Sequence, residues 1–171
     1  TFVVISPAGL VNYDIKGANN QATIDAIDAA IAATGATKPP PPSVAPDFTV
    51  TDITGQLHQL YADYLNQGKT VLLEVFYTTC PPCNSIAPLM EPFYQEWGAG
   101  DHDVEFFLMT DKNSDTDPVV TTFHTSYNET FPAISKHGGS LAAVEPYKNG
   151  SFGSWSGTPT FIVIAPDGTV Q

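Results

Sequence analysis

The sequence predicts an α/β fold, and three observations predict it. From residue 47 onward, short apolar runs of strand character alternate with stretches whose apolar residues recur at helical spacing. The run Thr70–Tyr77 is almost continuously apolar, the mark of a strand covered on both faces. The chain's only two cysteines, in Cys80-Pro81-Pro82-Cys83, stand where that run gives way to a helical stretch.

At the N-terminus, residues 1–5 read as a strand, Pro7-Ala8-Gly9 as a turn and Val11–Ile15 as a second strand. Asn19 or Asn20 can cap a helix over Thr23–Ala33, with Ile24, Ile27 and Ile31 on one face and Gly35 as its stop. Lys38–Pro46 contains four consecutive prolines, Pro39–Pro42, and predicts an extended linker. At about 3 Å per residue it reaches roughly 30 Å, enough to cross one face of a small domain. Asp47–Val50 and Leu57–Gln59 are short strands around an Asp-x-x-Gly turn, and Leu60–Asn66 is a short helix. After the strand Thr70–Tyr77, the stretch Cys83–Trp97 carries Ile86, Leu89, Met90, Phe93 and Trp97 at helical spacing. Val104–Met109 is a strand. Asp117–Tyr127 is a helix, with Asp117 at its start and Pro118 at its first position. Residues 128–157, rich in Gly, Pro, Ser and aromatics, read as a long irregular insertion before a final strand, Thr160–Ile164.

The two ends of the chain repeat each other. Residues 1–12 and 160–171 share seven of twelve residues at an offset of 160 − 1 = 159. The division that follows is a strand-hairpin-helix segment over 1–36, a Pro-rich linker over 37–46 and a domain over 47–171 that stops short of a final strand and helix. Three arrangements account for it: a piece of a tandem array, a permuted chain whose N-terminal segment folds back on its own core, or a segment that completes a neighbouring chain head to tail. The alternative is a chance match between two hairpins.

Composition narrows the function classes. A chain of 171 residues with 42% hydrophobic content builds one domain with a real core. Six Lys and Arg against 18 Asp and Glu give a net charge of −12, which argues against nucleic acid or an anionic membrane surface as partner. No apolar run approaches the roughly 20 residues of a membrane span. No signal peptide is present and Thr1 is not an initiator, so a processed chain or a fragment is expected. Low lysine, abundant Thr, Ser and Asn, and the Pro-rich linker suggest an extracytoplasmic setting: periplasmic, cell-surface or secreted.

Two thiols at C-x-x-C spacing at a strand-to-helix junction read as a redox-active dithiol, because the unpaired N–H groups and partial positive charge of a helix start favour a thiolate. The alternatives are a static disulfide or half of a zinc site. No second Cys pair exists, and His58, His102, His124 and His137 show no ligand spacing, so no metal is assigned to the dithiol. The segment Asp111–Asp117 alternates oxygen ligands like the front of a calcium loop. It lacks the Gly at the sixth position and the late Glu, so a solvated acidic turn is the favoured reading over calcium, and no cofactor is expected. Trp155, Tyr147, Phe152 and Phe131 gather in the insertion, as local packing rather than a ligand box. Asn128-Glu129-Thr130 and Asn149-Gly150-Ser151 are glycosylation sequons.

With these residues in view, positions 46–171 resemble the thioredoxin superfamily, most closely the TlpA/ResA-like extracytoplasmic thiol-disulfide oxidoreductases. Four features in order carry the resemblance: residues 71–79 leading into Cys80-Pro81-Pro82-Cys83; Pro88, five residues past Cys83; Phe131-Pro132-Ala133-Ile134; and Gly157-Thr158-Pro159-Thr160, like the family's cis-proline loop. The resemblance implies a thioredoxin-like fold, a central mixed sheet flanked by helices, whose last strand and helix have their counterpart in residues 1–36. It also implies that Cys80, exposed at the helix start, is the nucleophile and that Cys83 resolves the mixed disulfide. Glu74, six residues before Cys80, matches by resemblance a buried carboxylate that takes a proton from Cys83; the alternative is that it faces solvent at a sheet edge. Thr158 and cis Pro159, with Pro81 and Pro82, are expected to meet an extended protein substrate. This chain departs from the family's pattern in having Thr79 where an aromatic usually precedes the first cysteine, and in the 159 − 80 = 79 residues between Cys80 and Pro159.

Two function classes result. One is an enzyme exchanging disulfides with protein thiols. The other is an assembly module of a repetitive or filamentous secreted protein, self-associating through residues 1–36. A peroxidase would want Thr three residues before its cysteine, where Tyr77 stands, and copper delivery wants wider cysteine spacing.

Overall fold

The computed structural model describes residues 2–5, 11–15, 21–36 and 44–171. The chain divides into two compact units, Thr1–Pro40 and Pro41–Gln171.

In the first unit, β1 (Phe2–Ile5) and β2 (Val11–Ile15) form an antiparallel hairpin, and α1 (Gln21–Ala32) follows. The helix starts two residues earlier and ends one earlier than its periodicity predicts. Its stop is as expected: Gly35, at φ 84°, donates its N–H to the Ala32 carbonyl. Along α1, Ala30 is buried, whereas Ile24 is 58% and Ile31 45% exposed. The expected caps Asn19 and Asn20, the Pro7-Ala8-Gly9 turn and linker residues 37–43 lie outside the described residues.

The second unit begins with a hairpin of β3 (Thr49–Thr51) and β4 (Leu57–Gln59). Its turn is organised by one Asp52 oxygen, which accepts the Thr54 and Gln56 N–H groups and the Thr54 hydroxyl. A π-helical turn, Leu60–Tyr64, and a 3₁₀ turn, Leu65–Gln67, take the place of the expected short helix. There follow β5 (Thr70–Phe76), α2 (Pro81–Glu96), β6 (Val104–Thr110), α3 (Asp117–Ser126), β7 (Ala133–Ile134), α4 (Ser140–Lys148) and β8 (Thr160–Ile164). The sheet order is β7-β6-β5-β8, with β5, β6 and β7 parallel and β8 antiparallel, so the sheet is mixed.

Strand alternation assigns the two faces. Val71, Leu73 and Val75 of β5 pack with Phe107, Leu60, Tyr64, Val144 and Tyr147. Leu72 and Phe76 pack with Leu108 and with Cys83, Ala87 and Met90 of α2 and Val120 and Phe123 of α3. Phe76, Phe106, Phe107 and Phe131 are fully buried, and each side chain of this size contributes about 1.5–3 kcal/mol on burial.

Residues 128–157 are not the irregular insertion that composition suggests: they hold β7 and α4. Two residues of strand are too few to show a period. The nine-residue α4 contains Pro146 and is preceded by Gly138-Gly139, which masks its buried Ala143, Val144 and Tyr147. Gly138 is there for space, since a Cβ would overlap the Thr51 carbonyl oxygen. The backbone of Gly138 instead accepts the Thr51 N–H at 2.9 Å, which docks this segment on β3.

Two details of the C-terminal end matter later. After β8 the chain turns back, so that Ile164 pairs with Val170 and Gln171 N–H bonds the Val163 carbonyl at 3.0 Å. At an offset of 159 that pair is Ile5 and Val11, which are themselves paired between β1 and β2. The similarity of the two ends is therefore one of hairpin register as well as of sequence. Within β8, Ile162 and Ile164 are buried on the α4 side, while Phe161 and Val163, opposite Glu74 and Leu72, are 42% and 37% exposed.

Candidate dithiol site

The site is assembled where β5 ends and α2 begins. Cys80 is the N-cap of α2, with Pro81 at the first helical position, where a missing N–H leaves nothing unpaired. Cys80 and Cys83 form a disulfide. The Cys80 sulfur also accepts the Cys83 N–H at 3.2 Å, so a free donor of the helix start points at it. A donor so placed at a helix start, with the helix's partial positive charge, is the kind of setting that favours a thiolate.

The turn before Cys80 is braced by groups that sequence reasoning did not single out. Asp115, buried, accepts the Thr78 N–H (2.9 Å), the Thr78 hydroxyl (3.0 Å) and the Thr110 hydroxyl (2.8 Å). Asn84 donates to the carbonyls of Thr78 (3.0 Å) and Cys80 (2.8 Å), and its own oxygen accepts the Tyr127 hydroxyl (2.8 Å). Asp115 stood in the segment read as a solvated acidic turn in preference to a calcium loop; it is instead buried with its oxygens on these donors, while Asp111 faces Lys112 (3.9 Å) and Lys148 (3.7 Å). Among the described residues no group of three or more His, Cys, Asp or Glu side chains is placed to hold a metal.

The peptide bond Thr158–Pro159 is cis. It brings Thr158 over the disulfide: its carbonyl oxygen lies 3.6 Å and its hydroxyl 3.5 Å from the Cys80 sulfur. The expectation that Cys80 is exposed does not hold in this oxidised form, because Cys80 is 1% exposed beneath Thr158. Pro81 and Pro82 are exposed beside it.

Glu74 lies in the middle of the central strand, between β6 and β8, on the face that carries Leu72 and Phe76 against Cys83. It is 2% exposed, and neither carboxyl oxygen has a hydrogen-bond partner among the described residues. Burial raises its pKa from 4.5 to about 7. Glu129 went unnoticed in the sequence, hidden in a sequon. It too is buried with both oxygens unpartnered, between exposed Asn128 and Thr130. Burial, then the charges of Glu74 and Glu91, raise its pKa to about 9. Among the aromatics of the supposed insertion, Phe131 packs on the α2 side with Tyr94 and Phe106, whereas Tyr147 and Phe152 meet at a tilt on the α4 side and Trp155 packs against the same cluster. They are not one cluster, because β7 carries the chain from one face of the sheet to the other.

A family model described as the AhpC/TSA family matches residues 42–171. The chain belongs to that family. Among curated relatives, the thiol-disulfide oxidoreductase ResA of Oceanobacillus iheyensis is 29% identical over 128 residues, covering 74% of this chain and 60% of the relative. ResA of Bacillus cereus is 32% identical over 97 residues, 57% of this chain and 52% of the relative. The chain thus spans about 60% of the first of these proteins and about half of the second. A thiol:disulfide interchange protein of the thioredoxin family from Chlorobium tepidum superposes with a TM-score of 0.61 at 24% identity, covering 80% of this chain and 86% of that one. A secreted Mycobacterium tuberculosis disulfide oxidoreductase superposes with a TM-score of 0.55 at 22% identity, covering 72% and 80%. The fold of the second unit is therefore thioredoxin-like. No helix among the described residues is long and apolar enough to cross a membrane.

Proposed function

We propose that this protein is a thiol-disulfide oxidoreductase that exchanges disulfides with protein substrates through Cys80 and Cys83. The observation that carries the reading is the disulfide at the start of α2 against Thr158, with the buried, unpartnered carboxyl of Glu74 on the sheet face that packs on α2. In the oxidising direction, a substrate thiolate attacks the Cys80 sulfur and the Cys80–Cys83 bond breaks. Its electron pair leaves on the Cys83 sulfur, which takes the proton held by Glu74. A second substrate thiolate then attacks the mixed disulfide, and Cys80 departs as a thiolate stabilised by the Cys83 N–H. The substrate leaves oxidised, with two electrons on the dithiol. The reverse sequence reduces a substrate disulfide, with Glu74 first accepting the proton of Cys83. Thr158 offers its backbone to an extended partner, with exposed Pro81 and Pro82 as further contacts beside Cys80. An extracytoplasmic setting is supported by the composition and by the secreted M. tuberculosis neighbour.

The reduced protein should react with iodoacetamide at Cys80 well before Cys83 at neutral pH. It should accelerate insulin disulfide reduction by dithiothreitol, and the acceleration should vanish in Cys80→Ser. Turnover that survives Cys80→Ser, or a wild-type rate no better than dithiothreitol alone, refutes the reading. We also propose that residues 1–36 mediate association between copies, head to tail. The shared register of Ile5 with Val11 and of Ile164 with Val170 favours it.

A further inference from the structure

Asn84 follows Cys83 directly and stands four residues after Cys80, within the first turns of α2. Asparagine suits a helix interior poorly, because its short amide competes for main-chain partners. Here the amide takes such partners at the start of the same helix. Its Nδ2 reaches the Thr78 carbonyl at 3.0 Å and the Cys80 carbonyl at 2.8 Å, which engages both N–H groups of the amide. The Cys80 carbonyl also accepts the Asn84 main-chain N–H at 3.0 Å, so this single residue fills both its lone pairs. The amide serves in one orientation only, since a flipped one sets its oxygen against two carbonyl oxygens. Tyr127, at the C-terminal end of α3, fixes that orientation: its hydroxyl donates to Asn84 Oδ1 at 2.8 Å. The Tyr127 ring lies 4.9 Å from that of Phe123, centre to centre, and Phe123 lies 4.9 Å from Phe76 at the end of β5. From the other side, Asp115 holds the Thr78 N–H and hydroxyl at 2.9 and 3.0 Å.

We infer that Asn84, oriented by Tyr127, is a positioning residue for Cys80, holding the main chain at the start of α2 so that the Cys80 sulfur stays on the Cys83 N–H when the disulfide is open. The inference rests on the proposed exchange through Cys80 and adds two residues that act through the main chain. While the disulfide is closed, the bond between the sulfurs keeps them together. Once it opens, that restraint is lost. The place of the Cys80 sulfur then depends on the Cys80 main chain, at φ −74° and ψ 114°, and on its side-chain rotamer. The carbonyl whose direction ψ sets is the one that Asn84 grips. A thiolate gains from a donor N–H only while it sits on it. Slackening the Cys80 carbonyl therefore lowers the thiolate fraction of Cys80 and slows its attack on a substrate disulfide. Tyr127 contributes at one remove, by keeping the donors of the amide, rather than its oxygen, towards Thr78 and Cys80.

The test compares the full chain as wild type, Asn84→Ala, Tyr127→Phe and the double variant. Alanine is a better helix former than asparagine and phenylalanine keeps the ring, so the variants should retain the fold, which far-UV circular dichroism checks. Two rates are read on each: iodoacetamide alkylation of reduced Cys80 as a function of pH, and insulin disulfide reduction. In Asn84→Ala the alkylation profile should move to higher pH, and both rates near neutral pH should fall about three- to tenfold, the net worth of one hydrogen bond. In Tyr127→Phe both should change in the same direction by less. The double variant should match Asn84→Ala, since Tyr127 acts through the amide. A wild type no faster than dithiothreitol alone overturns the proposed function and this inference with it. An active wild type whose alkylation profile is unmoved in Asn84→Ala overturns the inference alone, even where stability falls. Effects of Tyr127→Phe that add in full to those of Asn84→Ala overturn the part given to Tyr127.

Discussion

Replacing Glu74 by Gln should remove a specific part of the protein's pH dependence of stability. In the folded state burial holds the Glu74 pKa at about 7, against 4.5 in the unfolded chain. The sign follows from which state binds the proton more tightly. Below pH 4.5 the carboxyl is protonated in both states and contributes no difference. Between 4.5 and about 7 the unfolded chain releases the proton while the folded one retains it, so stability falls as pH rises; above about 7 both states are ionised and the loss levels off. One pKa unit corresponds to about 1.36 kcal/mol, so a rise from 4.5 to about 7 costs about 3 kcal/mol at the plateau. Glu74→Gln is neutral at every pH and nearly isosteric. In urea titrations of oxidised protein, followed by the fluorescence of Trp97 and Trp155, the variant's stability relative to wild type should therefore climb by about 3 kcal/mol between pH 4.5 and 8. Parallel stability curves over that interval would show that Glu74 is ionised throughout in the folded protein. The proton assigned to it in disulfide exchange would then have no holder.

Three other substitutions test the surroundings of the dithiol. Asp115→Ala removes the acceptor that ties Thr78 to Thr110 and should lower stability by about 2–3 kcal/mol, the worth of hydrogen bonds to a charged group, in the same urea titrations. Thr158→Val keeps the shape but loses the hydroxyl 3.5 Å from the Cys80 sulfur; the Cys80 thiol pKa, followed by thiolate absorbance at about 240 nm, should rise. Glu129→Gln should stabilise the protein most on the alkaline side, because the native carboxyl keeps its proton to about 9 and wild-type stability declines as pH rises towards that value; thermal melts at about pH 6 and about pH 9 compare the two.

What the sequence disclosed and what it withheld have physical reasons. The strand Thr70–Phe76 was legible as an almost continuous apolar run and the helix Pro81–Glu96 from its helical spacing, and the cysteine pair marks their junction. The proximity of Thr158 to Cys80 was legible only through resemblance, since nothing local reports that a residue 78 positions away returns to a sulfur. The helix Ser140–Lys148 was hidden because two glycines precede it and a proline interrupts it, while tertiary packing of Ala143, Val144 and Tyr147 decides its structure. Glu129 and Asp115 look like ordinary turn acids. That one is buried without a partner and the other gathers four hydroxyl and amide donors from three segments is settled by long-range packing. The burial of Cys80 belongs to the same class: a helix start is normally wet, and this one is roofed by a loop from the far end of the domain.

On the proposed function, that roof would select what gets in. A small thiol from bulk water would meet Thr158 before sulfur, since Cys80 is 1% exposed beneath it. An extended polypeptide would bring its own amides to pair with the Thr158 main chain. Main-chain partnership would then serve as the admission test for the reaction, and extended cysteine-containing peptides should outpace small thiols that lack amides.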